Sequence, residues 1–216
     1  MSNEYQIKSF EEITKNTMYI RFLDYYNNLI DGLLPHCIIE IRFGYEFNKT
    51  VNNLPTYLKI LEFGNNFNQS VDKLPNTIIN LYFGNNFNQS VDKLPNSLES
   101  IRFGDKFNKS VDNLPNSLES IRFGDDNFNQ SLNNLPNYIK EIYIGQNYLQ
   151  PINIFPKKLT YLYISYGFTQ ETEEFKEMIV KNNIKYEKSN YSKGPIGPSG
   201  PCGISIYIAK IKNRIV

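Results

Sequence analysis

LPNSLESIRFGDKFNKSVDN (94–113) runs straight into LPNSLESIRFGDDNFNQSLNN (114–134), which repeats it with one residue inserted. The same beat spans the middle of the chain. Prolines fall at Pro35, Pro55, Pro75, Pro95, Pro115, Pro136 and Pro156, twenty residues apart at every step but one, which is twenty-one. A period of about 20 residues is one small coil of a solenoid, too short to bury its own apolar face, so each unit depends on its neighbours. A stack of this kind presents a surface before it builds a pocket.

Within 94–113, Leu98, Ile101 and Phe103 follow the pattern L-x-x-L-x-F, which resembles the strand core of a leucine-rich repeat. Alternation turns Ile101 and Phe103 inward and leaves Ser100 and Arg102 outward. Gly104 is read as the residue that permits a sharp bend out of the strand. Phe107 and Val111 then return to the interior, and Leu94, held extended before Pro95, leads to the next strand.

Stacking these units predicts two apolar columns. One is Phe22, Phe43, Phe63, Phe83, Phe103, Phe123, Ile144 and Ile164; the other is Phe47, Phe67, Phe87, Phe107, Phe128 and Tyr148. Beside the second runs a column of Asn48, Asn68, Asn88, Asn108 and Asn129, short amides suited to satisfying backbone groups of the loops. The expected fold is an α/β-type solenoid like a leucine-rich repeat. It has one parallel sheet of roughly eight short strands, irregular return segments and a C-terminal helical cap.

The unit F-N-x-S-V-x-x-L-P carries a more specific resemblance. It stands as FNKTVNNLP (47–55), FNQSVDKLP (67–75 and 87–95), FNKSVDNLP (107–115) and FNQSLNNLP (128–136), with degenerate turns at 18–35 and 144–164. This resembles the FNIP repeat, a leucine-rich-repeat variant of social amoebae and of giant viruses that infect amoebae. The low alanine and tryptophan content and abundant Asn, Ile, Lys, Tyr and Phe fit the AT-rich coding of such sources. In that family the repeats often follow an F-box, which implies substrate reception for a ubiquitin ligase. Residues 5–17 (YQIKSFEEITKNT) show no Leu-Pro-rich three-helix pattern, so the chain is expected to carry the reader module without that connector.

The organisation expected is an N-terminal cap (1–17), the repeat solenoid (18–166), a helical cap (167–190) and a tail (191–216). Phe175, Met178 and Ile179 fall at i, i+3 and i+4, with Glu171, Glu173 and Glu174 at the start of that helix. The tail contains three collagen-like triplets (Gly194 to Cys202) and a strand-prone, basic end. It reads as an extended linker; a trimer stub stapled by Cys202 is the other reading.

With 23 basic and 22 acidic residues the net charge is +1, which gives nucleic acid and anionic membranes little to attract. No apolar stretch reaches the length of a membrane span, and Met1-Ser2-Asn3-Glu4 begins no signal peptide, so a cytoplasmic protein is expected, in the host cell if the source is viral. Cys37 and Cys202 have no metal-ligand spacing, and His36 is the single histidine. Asp105, Asp125 and Asp126 read as solvated loop carboxylates. No catalytic, metal or cofactor residue is assigned, and the chain is read as a non-enzyme.

Function is expected on the outward strand positions. Just before the inward aromatic these read Arg21, Arg42, Glu62, Tyr82, Arg102, Arg122, Tyr143 and Tyr163. Arg and Tyr dominate interface hot spots, so this row is the candidate partner-binding surface. The expected function is a monomeric protein-interaction module whose partner is a protein, either a host protein or a ubiquitin-ligase component. The alternatives are a ligase substrate receptor without a recognisable F-box, and a self-assembling protein that uses its collagen-like tail.

Overall fold

The computed structural model describes residues 5–7, 13, 16–30, 32–165 and 168–189. Ten strands form one parallel sheet in chain order. They are β1 (Tyr5–Ile7), β2 (Tyr19–Phe22), β3 (Glu40–Arg42), β4 (Ile60–Glu62), β5 (Asn80–Tyr82), β6 (Ser100–Arg102), β7 (Ser120–Arg122), β8 (Glu141–Ile144), β9 (Tyr161–Ser165) and β10 (Lys185–Ser189), with a helix α1 (Glu173–Lys181) between the last two.

Register follows the repeat: Ser100, Ile101 and Arg102 lie against Ser120, Ile121 and Arg122. The middle residue of each short strand is buried and its neighbours are half-buried. The central strands β3 to β7 stop at three residues because turns fold the chain on either side of them. In one, the Leu98 N–H donates to the Pro95 carbonyl at 3.1 Å; in the other, the Phe107 N–H donates to the Gly104 carbonyl at 3.4 Å. Elsewhere the backbone also bonds to adjacent coils, as where the Phe83 N–H reaches the Arg102 carbonyl at 2.8 Å.

Both aromatic columns are buried. Phe63, Phe83 and Phe103 stack with centroids 5.6 and 5.7 Å apart, and Phe67, Phe87 and Phe107 at 6.1 Å. The columns meet inside each coil, where Phe83 and Phe87 lie 3.7 Å apart. Burying each ring contributes roughly 1.5–3 kcal/mol, and stacked pairs add about 0.5–1.5 kcal/mol. The interior is therefore a double aromatic spine closed by Val or Leu at the far turn, such as Val91, Val111 and Leu132.

The asparagine column forms a ladder. The side-chain oxygens of Asn48, Asn68, Asn88 and Asn108 each accept the backbone N–H of the next asparagine, at 2.9, 2.9, 3.0 and 3.0 Å. Asn27 begins the ladder by accepting from Asn48, and Leu149 ends it by donating to Asn129. The glycines have a different role from the one expected. Gly84 and Gly104 are not among the positive-φ residues; a Cβ on either would fall 2.4 Å from the carbonyl oxygen of the preceding coil's glycine. They are required for close backbone approach rather than for the bend.

The sheet extends past the eight rungs read from the sequence, with β1 pairing β2 and β10 pairing β9. Neither YQI nor KYEKS carries the repeat's aromatic pair, so no periodicity marks them. The C-terminal helix forms, but it lies in the return between two strands of the sheet. Thr172 caps it, accepting the Phe175 N–H at 3.2 Å, and Asn183 leaves it at φ 52°. Phe175 and Ile179 are its buried residues, and Phe175 meets Phe155, Phe168 and Tyr186. The collagen-like triplets, Cys202 and the basic end lie outside the described residues.

Candidate interaction face

The outward positions of successive strands form two rows. The first is Arg21, Arg42, Glu62, Tyr82, Arg102, Arg122, Tyr143 and Tyr163, each the register partner of the next. The second is Tyr19, Glu40, Ile60, Asn80, Ser100, Ser120, Glu141 and Tyr161. Strand β10 adds Lys185 and Glu187, which sequence periodicity could not place because that strand lacks the repeat signature.

These side chains are not loosely solvated. Apart from Arg21, the first row from Arg42 to Tyr163 is half-buried, because parallel strands about 4.8 Å apart crowd neighbouring side chains together. The face divides into zones. Toward β3 and β4, Arg42 Nε lies 2.5 Å from Glu40 and 3.6 Å from Glu62. Burial pushes the Glu62 carboxyl up despite the favourable field of Arg42 and Arg21.

Toward the other end the face is aromatic. The Tyr143 and Tyr163 rings stack 4.3 Å apart at 4°, and Tyr161 lies 6.1 Å from Tyr163. Lys185 Nζ sits 4.9 Å from the centre of the Tyr161 ring and donates to its hydroxyl at 3.1 Å. The Arg122 guanidinium lies 5.4 Å from the Tyr143 centroid. Such cation–ring contacts contribute about 0.5–1 kcal/mol at exposed sites. At the centre, burial and then the neighbouring Arg122 lower the pKa of Arg102 from its ordinary value.

The phenylalanine spines and the asparagine ladder belong to the interior and the loops, away from this face. Asp105 and Asp125 lie on successive loops, where Asp105 Oδ1 accepts the Asp125 N–H at 3.3 Å. Among the described residues no group of three or more His, Cys, Asp or Glu is placed to hold a metal, and no helix is long and apolar enough to cross a membrane.

Twenty-residue coils, a parallel sheet one strand per coil and a stacked aromatic interior define a leucine-rich-repeat-like solenoid. The FNIP Repeat profile matches residues 25–66, 47–85, 87–126 and 128–167, and the chain belongs to the FNIP repeat family. Among solved structures it is similar to CroV588, from a giant virus and described as a novel circular LRR protein structure. The likeness is 30% identical with a TM-score of 0.54, over 82% of this chain and 34% of that one. The chain therefore spans about a third of that protein's length. No curated protein matches it.

Proposed function

We propose that this protein is a non-catalytic interaction module that binds a partner protein across the outer face of its sheet. The observation that carries the reading is the mutual support among the outward side chains. Arg42 is held by Glu40 and Glu62, Tyr143 by Tyr163, and Lys185 by Tyr161. Side chains already fixed by their neighbours lose little freedom on binding, so the entropic cost of association falls. Arg and Tyr are also the residue types that supply most of the energy at protein interfaces. Arg21, Arg42, Glu62, Tyr82, Arg102, Arg122, Tyr143 and Tyr163 are the contact residues proposed.

The test is quantitative affinity capture of the full chain from the cells that express it, beside a Tyr143→Asp/Tyr163→Asp variant. Unaltered circular dichroism and melting would establish that the variant is folded. Selective loss of specific partners supports the face, and an unchanged capture profile removes it.

A further inference from the structure

Toward the C-terminal end the return segment of the coil loses its polar character. In the regular coils the residue before the Leu-Pro pair is Asn or Lys, and three of these reach back to the coil before. Lys93 Nζ meets Asp72 at 3.3 Å, and the side-chain amides of Asn113 and Asn134 donate to Asp92 and Asp112 at 3.0 and 3.1 Å. The same position before Phe155-Pro156 holds Ile154, which is 61% exposed. An aliphatic side chain adds nothing to that polar row and shows water an apolar surface instead.

The next return holds α1, and a hollow of about 590 Å³ is lined by residues of that helix and by 153–155. Ile154, Phe155 and Met178 supply its apolar lining, and the exposed Glu174 and Glu177 its acidic side. A second hollow of about 190 Å³ shares Asn153, Glu174 and Met178 with the first and extends it to Ile152 and Gln170, so the two make one groove. Glu174, Glu177, Met178 and Lys181 stand at i, i+3, i+4 and i+7, on one face of the helix. Glu173 pairs with Lys176 and Glu171 with Lys188, whereas among the described residues Glu174 and Glu177 have no ion pair.

We infer that this groove seats residues 204–216 of the same chain. Those residues lie outside the described ones, and their sequence complements the lining. Taken as an extended segment, one side carries Ile204, Ile206 and Ile208 followed by Lys210, Lys212 and Arg214. Residues 190–216 hold four basic residues and no acidic one. The isoleucines answer Ile154, Phe155 and Met178, and the cations answer Glu174 and Glu177, since Lys181 repels them from the other end of the helix face. The segment is also within reach. Lys188, one residue before the end of β10, donates to the Phe168 carbonyl at 3.5 Å and pairs with Glu171, so the chain leaves the sheet beside the stretch that enters α1. The fourteen residues 190–203 extend to at most about 50 Å, against a helix about 14 Å long. Tethering holds the segment at an effective concentration on the order of millimolar, so a weak site suffices. The groove lies apart from the row Arg21 to Tyr163, and the inference does not depend on the sheet-face reading.

The test is amide hydrogen exchange of the full chain, read by mass spectrometry over residues 204–216 at short labelling times. Exchange there is expected to be slower than in a free peptide of the same sequence. Ile154→Asn installs the residue that the coils of Asn113 and Asn134 already accept, and it should speed that exchange roughly tenfold or more. Glu177→Gln should speed it about two- to fivefold, the effect of one exposed ion pair. Glu173→Gln removes the same charge from the same helix at a residue outside the lining, and should leave the rate unchanged. Slow exchange of the sheet amides in every variant establishes that each is folded.

Free-peptide rates in the native chain overturn the seat. So does protection that Ile154→Asn leaves intact, which would put the segment elsewhere, such as along the outer edge of β10. Equal acceleration by Glu173→Gln and Glu177→Gln overturns it too, as a diffuse charge effect. Protection that fades on dilution would show the segment crossing to a second copy, and the seat within one chain falls. Protection that is independent of concentration, lost in Ile154→Asn and reduced by Glu177→Gln alone of the two charge variants, supports it.

Discussion

Asn68 Oδ1 accepts two hydrogen bonds from the next coil, the Asn88 backbone N–H at 2.9 Å and the Gln89 side-chain amide at 3.0 Å. Asn48 serves Asn68 and Gln69 in the same way, and Asn108 serves Asn129 and Gln130. The asparagine therefore bonds coil to coil where the sheet no longer does so.

Removing one rung of this ladder strands a half-buried backbone donor. Asn68→Ala should destabilise the protein by about 1–3 kcal/mol. Asn68→Asp, which keeps the acceptor, should cost clearly less. Urea unfolding of the two variants beside the native chain measures the difference, and equal losses would deny the acceptor its role.

Gly84 and Gly32 separate two reasons for glycine. A Cβ on Gly84 meets the Gly64 carbonyl oxygen at 2.4 Å, whereas Gly32, at φ +73°, has nothing within 4 Å. Gly84→Ala must push two backbones apart and should cost roughly 3 kcal/mol or more, the upper range of overpacking. Gly32→Ala meets only the left-handed backbone penalty, about 1–2 kcal/mol. Thermal melts that ranked the pair the other way would contradict the close-approach argument.

Phe83 touches the spine on three sides, stacking on Phe63, Phe87 and Phe103. Phe83→Ala should lose about 3–5 kcal/mol through the cavity it leaves in mid-stack. Phe83→Leu keeps most of the volume and should lose less. Denaturant midpoints measured with one slope for all three proteins check the order.

Glu62 gives the face a pH dependence. Its folded pKa lies above the ordinary 4.5 because burial disfavours the carboxylate, with Arg42 and Arg21 offsetting only part of this. A raised carboxyl pKa favours the folded state while the group is protonated. That contribution is complete below the unfolded value and is lost as pH rises through the folded one. Glu62→Gln should therefore flatten the fall in stability over the window just above pH 4.5. Melting temperatures of both proteins across that window supply the test; parallel curves would show that Glu62 is not the cause.

How much of this could be read from the sequence depends on what the repeat copies. The inward positions are copied nearly letter for letter, so Phe83, Phe103 and Phe87, Phe107 could be assigned to columns at once. The helix was legible too, because Phe175, Met178 and Ile179 share one face and Glu171, Glu173 and Glu174 stand at its start. β10 was not, since a strand recruited by the edge of an existing sheet needs no aromatic signature of its own. The glycine requirement was misread because a backbone contact between coils leaves the same letter as a bend. Outward positions drift between copies, so the row could be listed from alternation alone. Its pairings, Arg42 with Glu62 or Tyr143 over Tyr163, follow from register and rotamer, which no single coil encodes.

Asn127, the residue added in the one twenty-one-residue coil, is absorbed in the loop between Gly124 and Phe128, where its side chain donates to the Asp105 carbonyl at 2.9 Å. Ser120 still faces Glu141 across the sheet, and Phe128 still stacks on Phe107 at 6.0 Å. That loop is consequently a tolerant joint. Foreign residues such as a short tag or a cleavage site are expected to be accepted there with the strands above and below kept in step, since lengthening a surface loop adds little closure entropy.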